Sequence, residues 1–163
     1  MRDFRVHLAH LEEPKIPNSV IAGNSLYRHM SAVLEDQRPL STYAVEFSSV
    51  VSQEQWAEMI ALNAVLSGVE ESTFRTEQRR VLEQNVWGPW ARDDVLESEM
   101  LELRVAKHRW ARSDLAAAIA RYHVGYVVVP TGADPDPHIV RNWVDVGSGD
   151  WSIWRNPTDH RPN

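Results

Sequence analysis

Cysteine is missing from all 163 residues. Its absence excludes a disulfide scaffold, a thiolate nucleophile and a Cys-ligated zinc, and leaves the redox compartment open. Long apolar runs are missing as well: the longest, around Tyr126 to Val129, is only a few residues, whereas a bilayer span needs about 20. Met1 to His7 shows no apolar h-region before a small-residue cleavage site, so the expectation is a cytosolic protein or a portion of a longer polypeptide. Positive charge is in deficit, with 17 Lys and Arg against 23 Asp and Glu and a formal net charge of −6. Such a chain repels a phosphate backbone, and nucleic acid is not an expected partner. Neither G-x-G-x-x-G nor G-x-x-x-x-G-K-[ST] occurs, which removes the usual dinucleotide and triphosphate cradles. No Ser lies in a G-x-S-x-G context, so no hydrolase elbow is present either.

What is there is ordinary globular material: 43% hydrophobic and 25% charged residues, a length suited to one domain with one core. Two prolines in Pro14-Lys15-Ile16-Pro17 oppose helix, and Ser19 to Gly23 then reads as a short buried strand. A helix carrying Leu26, Tyr27, Met30, Val33 and Leu34 should follow, and Leu40 to Val45 suggests a second strand. Ser52-Gln53-Glu54-Gln55 has the spacing of a capping box ahead of a helix that Gly68 stops. Further helices are expected over Ser72 to Asn85, from Asp93-Asp94 onward, and over Leu115 to Tyr122. The charged stretch Glu97 to Arg112 reads as a solvated helix face.

Tyr126 to Val129 lacks polar alternation, as a strand covered on both faces would. A helix feeding directly into it suggests a crossover to a parallel neighbour at Val20 to Ala22. Pro130 to Pro137 reads as a loop, Trp143 to Val146 and Trp151 to Arg155 as a hairpin, and Asn156 to Asn163 as a frayed tail. The expected fold is therefore a single α/β domain over 1–163, a small mixed sheet with parallel central strands, helices packed on it and a C-terminal antiparallel hairpin.

From Pro17 onward the chain resembles the soluble C-terminal, extracytoplasmic region of polytopic membrane glycosyltransferases of the GT-C type. The residues that carry the likeness are the proline-led strand Ile16 to Gly23, the phrase Asp36-Gln37-Arg38-Pro39-Leu40, the helix and Val-rich strand over Leu115 to Val129, and the closing Gly149 to Arg155. The resemblance implies an extracytoplasmic, membrane-associated location and a membrane protein or glycan acceptor as partner. It assigns no catalytic residue, because the catalytic carboxylate of such enzymes lies near a membrane region this sequence does not contain.

Several residues invite chemistry. Asn24 and Ser25 could present helix N-terminal amides to an anion, although an ordinary cap accounts for them equally. Asp134, Asp136 and His138 offer alternating oxygen and nitrogen ligands beyond the Val-rich strand, where open α/β sheets bind ligands, with a solvated turn as the simpler reading. His7 and His10 are too few to complete a tetrahedral metal site. Trp87, Trp90 and Arg92 form a rigid aromatic loop beside a cation that could stack on a sugar, or could simply anchor the loop. No metal, cofactor or catalytic group is assigned. Three functions compete: a non-catalytic domain of a membrane glycosyltransferase that packs on the enzyme or assists acceptor binding, a stand-alone small-molecule-binding module or enzyme, and an interaction domain that dimerises through hairpin edges.

Overall fold

The structure is a computed structural model that describes residues 20–22, 38–39, 52–84, 94–147 and 151–157. The expected helix over Leu26 to Leu34, the strand over Leu40 to Val45 and residues 158–163 of the expected frayed tail lie outside the described residues, whereas Asn156, at the start of that tail, is buried and hydrogen-bonded to the Val124 carbonyl rather than frayed.

Helix α1 spans Gln53–Leu66. The Ser52 hydroxyl accepts from the Gln55 amide at 3.1 Å while the Gln55 carboxamide accepts from the Ser52 amide at 3.3 Å, so two otherwise orphaned donors are satisfied reciprocally. From Trp56 to Leu66 only Met59 escapes full burial, the mark of a helix packed on every side rather than one lying on a surface. Gly68, with φ +74, then turns the chain into helix α2, Glu71–Gln84. Helix α3 spans Asp94–Ser113, and helix α4, Leu115–Tyr122, opens on Asp114, whose carboxylate accepts from the Ala117 amide at 3.3 Å.

His123 ends α4 in the left-handed region, at φ 53, and strand β3, Val124–Pro130, follows at once. A short helix α5, Pro137–Asn142, comes next, then strands β4, Val144–Asp145, and β5, Trp151–Arg155. Strands β1, Val20–Ala22, and β2, Arg38–Pro39, complete a sheet ordered β2-β1-β3-β5-β4.

This architecture corrects the expected α/β fold with parallel central strands. Helix makes up most of the described residues, and the ladders that carry the sheet are antiparallel: β3 pairs with β5 from Tyr126–Arg155 to Pro130–Trp151, and β4 adds to β5. Parallel pairing is confined to the three-residue β1 and two-residue β2 at one margin, with an irregular register at Val20/Ile21. The Val-rich strand thus takes its expected parallel neighbour only over the short β1, Val20–Ala22, while Tyr126 to Pro130 pair antiparallel with β5 on its other side. The chain between β3 and β5 runs through α5 and β4, and the expected hairpin is the pair β4–β5.

The main core joins Leu62, Val65 and Leu66 of α1 to Ile119 of α4, Val127 and Val129 of β3 and Ile139 of α5. A second cluster packs Trp56, Ile60, Ala61 and Ala64 of α1 against Phe74 of α2. The reading of Glu97 to Arg112 as a solvated face is also corrected. Leu101, Arg104, Val105, His108 and Ala111 are buried at the three- and four-residue spacing of one helix face. Arg104 is tolerated there because its guanidinium lies 4.4 Å from the Trp56 ring centroid and donates to the Gln78 side-chain oxygen at 2.8 Å.

One buried carboxylate ties three helices together. Glu58 of α1 accepts from Lys107 of α3 at 2.9 Å and from the Tyr122 hydroxyl of α4 at 2.6 Å, with Arg121 at 3.3 Å. Burial pushes its carboxyl up, but the Tyr122 and Lys107 hydrogen bonds and the two cations outweigh this and hold it below the ordinary 4.5. Its contribution is therefore present above pH 4.5 and lost as pH falls through the lowered folded value. Glu58→Ala is expected to cost about 2–3 kcal/mol at pH 7, with the gap from wild type narrowing in acid. Denaturant midpoints measured from pH 7 to pH 3 check this; a gap that stays constant would mean the carboxylate is not ionised in the fold.

Candidate functional site

A groove of about 610 Å³ runs between α4 and α5, a size ordinary for a small-ligand site. Ala116, Ile119 and Ala120 form the α4 wall. They line it because the opposite side of α4 is held inward by Tyr122 on Glu58. His138 and Asn142, four apart and therefore on one face of α5, form the other wall, and Trp143, 7% exposed, lies beside them. At the sheet end the Asn156 side chain donates to the Val124 carbonyl at 3.2 Å while its amide donates to the Gly125 carbonyl at 2.9 Å, fixing β5 to the start of β3.

The polar chemistry of the α5 wall follows from its hydrogen bonds. Asn142 Nδ2 donates to the His138 carbonyl at 2.8 Å, which fixes the orientation of the amide, and it sits 3.3 Å from His138 Nδ1. A donor facing Nδ1 makes that nitrogen the acceptor, so the imidazole proton resides on Nε2. The wall then offers an N–H donor and, in Asn142 Oδ1, a carbonyl acceptor side by side. A hydroxyl, which both donates and accepts, is complementary to such a pair.

His123 stands across the groove on the last turn of α4. Among the described residues it is the one non-glycine at positive φ. A side chain held in the left-handed region costs about 1–2 kcal/mol relative to glycine. His123 is the C-cap of α4 and is among the residues that line the groove. His123→Gly is expected to raise the melting temperature by about 2–4 °C while weakening whatever binds in the groove. Calorimetry on the free protein checks the first half; an unchanged or lowered melting temperature would show that the imidazole earns its place structurally.

The residues flagged in the sequence fare differently. His138 lines the groove. Asp136 serves α5 as its N-cap, its carboxylate accepting from the His138 amide at 2.8 Å, and is not among the residues that line the groove. Asp134 is exposed in the preceding turn. Asn24, Ser25, Trp87, Trp90 and Arg92 lie outside the described residues, as do His7 and His10. Sequence reasoning missed His123, Trp143 and Asn156 because it read them as a helix end, a hairpin residue and the start of the tail, and it missed Asn142 because it placed no helix after Pro137; the Asp136-Pro137 pair, an N-cap followed by Pro at the first helical position, is the signal that marks α5.

Among the described residues no group of three or more His, Asp or Glu could hold a metal ion, and no helix is long and apolar enough to cross a membrane. Set beside known protein families, curated proteins and solved structures, the chain matches none of them.

Proposed function

We propose that this chain is a non-catalytic binding domain that holds an uncharged, hydroxyl-rich ligand in the α4–α5 groove, in the role of an acceptor-glycan site serving a membrane glycosyltransferase. One observation carries the reading: a quarter of the chain is charged, yet among the described residues no Asp, Glu, Lys or Arg lines the groove, which instead offers imidazole, carboxamide and indole groups. Such a lining penalises a charged ligand and rewards one that exchanges hydrogen bonds and lays C–H surface on an aromatic ring. Among the described residues the same lining holds no carboxylate to act as the base of glycosyl transfer, which supports binding without turnover. The likeness of the sequence to the extracytoplasmic region of GT-C enzymes supplies the acceptor role.

Titration of labelled protein with cellobiose, maltose and glucuronate tests this by NMR. The neutral disaccharides are expected to shift His123, His138, Asn142 and Trp143 resonances with millimolar to high-micromolar affinity, about 4–6 kcal/mol, and glucuronate is expected to bind less well. No groove response to any neutral sugar would remove the reading. Purified chain supplied with a lipid-linked donor and acceptor is expected to show no glycosyl transfer; turnover that a carboxylate substitution abolishes would replace the binding role with an enzymatic one.

A further inference from the structure

Helix α2 is attached unlike the others. It sends one fully buried side chain, Phe74, into the core. Polar side chains also tie it to α3: at the surface Arg75 pairs with Glu102, Glu71 with Arg109 and Glu70 of the preceding turn with Arg112, and Gln78 accepts from the buried Arg104. Exposed ion pairs of this kind contribute little each and weaken with salt. The seat of Phe74 therefore decides whether α2 stays docked.

That seat is His108, which is fully buried. Its ring stacks on Phe74 with centroids 4.8 Å apart, and its Nε2 lies 2.9 Å from the Val69 carbonyl in the turn that joins α1 to α2. A carbonyl only accepts, so Nε2 carries the proton and Nδ1 is left as a bare lone pair. Nδ1 is buried with no hydrogen-bond partner. A proton added there would create a buried cation whose new N–H has no acceptor.

We propose that α2 is an acid-released clasp, docked when His108 is neutral and let go when that ring takes a second proton, baring the apolar flank of α1 at Trp56, Ile60, Ala61 and Ala64. The groups that act on His108 do not prevent this. Glu71 of α2 and Glu70 of the turn attract an imidazolium, but they are already paired with Arg109 and Arg112, and Arg112 on α3 itself repels it. The α1 residues that pack around Phe74 carry no charge. Burial, the largest influence, holds the His108 ring below the ordinary 6.5. Once α2 lifts, the ring reaches water and protonates at its ordinary value. A group depressed in the docked state binds fewer protons there, so docking is at full strength above pH 6.5 and weakens as pH falls below it, by up to about tenfold per pH unit. The carboxylates act in a separate window: Glu71 and Glu102 are held below 4.5 by their arginine partners, so their contribution is lost only below that value. This clasp is independent of the groove and of the ligand proposed for it.

Amide hydrogen exchange measured between pH 7.5 and pH 5, corrected for intrinsic rates, reads the opening of α2 against that of α1. The expected result is an α2 opening constant that is flat above pH 6.5 and rises by up to about tenfold per unit below it, with α1 unaffected. His108→Gln keeps a donor for Val69 without a titrating ring, and His108→Phe keeps an aromatic surface for Phe74; in whichever of them folds, the rise is expected to vanish. Wild-type α2 opening that is flat down to pH 5, a rise that persists in the non-titrating variants, or α1 opening in step with α2 would each overturn the clasp. In wild-type protein, ring-nitrogen NMR supplies a check that needs no variant: His108 is expected to remain the Nε2–H tautomer at pH 6 in the docked state, and a ring that titrates at 6.5 without α2 opening refutes the proposal.

Discussion

Gly68→Ala is expected to be among the most damaging single changes in this protein, although it adds one methyl group at an exposed turn. Two costs combine. The residue sits at φ +74, where a Cβ costs about 1–2 kcal/mol. That Cβ would also stand 2.2 Å from the Asp134 backbone carbonyl oxygen, a contact no rotamer change relieves, and shifting the backbone to accommodate it adds about 1–3 kcal/mol. The displaced turn is the one whose Asp136 amide donates to the Leu66 carbonyl at 3.2 Å and whose Asp136 side chain caps α5. The damage should therefore extend to His138 and the groove wall. Denaturant melts and the NMR shifts of His138 and Asn142 report both effects; a Gly68→Ala protein as stable as wild type would show that the loop does not approach α1 so closely.

Val128→Asp is expected to be as severe. Val128 is fully buried, paired with Ile153, and lies on the face of β3 opposite Val127 and Val129, which enter the main core. Tyr126, on the Val128 face, is also buried, so the strand is covered on both sides. A carboxylate placed there loses water without gaining a partner, a change worth about 4 kcal/mol or more against a typical total stability of about 5–15 kcal/mol. Asp136→Ala supplies the comparison: it removes an N-cap and is expected to cost about 1 kcal/mol. Equal melting temperatures for the two variants would mean β3 is not the centre of the core.

Much of the local structure was legible because its signals are local. The Ser52–Gln55 capping box, the Asp114 cap and the Val-rich strand are set by neighbours a few residues apart, and each lies where the pattern places it. The balance of the sheet was misjudged for a physical reason: the parallel neighbour expected at Val20–Ala22 is present but short, and the longer antiparallel ladder to β5 is a tertiary choice that periodicity does not reveal. Arg104 and His108 were misjudged for a related one. Charge in a sequence suggests solvent, but Trp56 and Phe74, contributed by two other helices, provide ring faces that let a guanidinium and a neutral imidazole stay inside. The groove was only partly legible, because His123 and His138 are 15 positions apart and meet through the packing of α4 against α5.

The placement of Glu58 bears on how binding selectivity could change. Its carboxylate holds Tyr122 and Arg121, and with them the last turn of α4, from outside the groove lining. A change in the length or charge of that anchor, Glu58→Asp for instance, would shift the His123 wall relative to α5 while leaving every groove side chain chemically intact. Groove width and groove chemistry are thus set by different residues, and selection or engineering can adjust the one independently of the other.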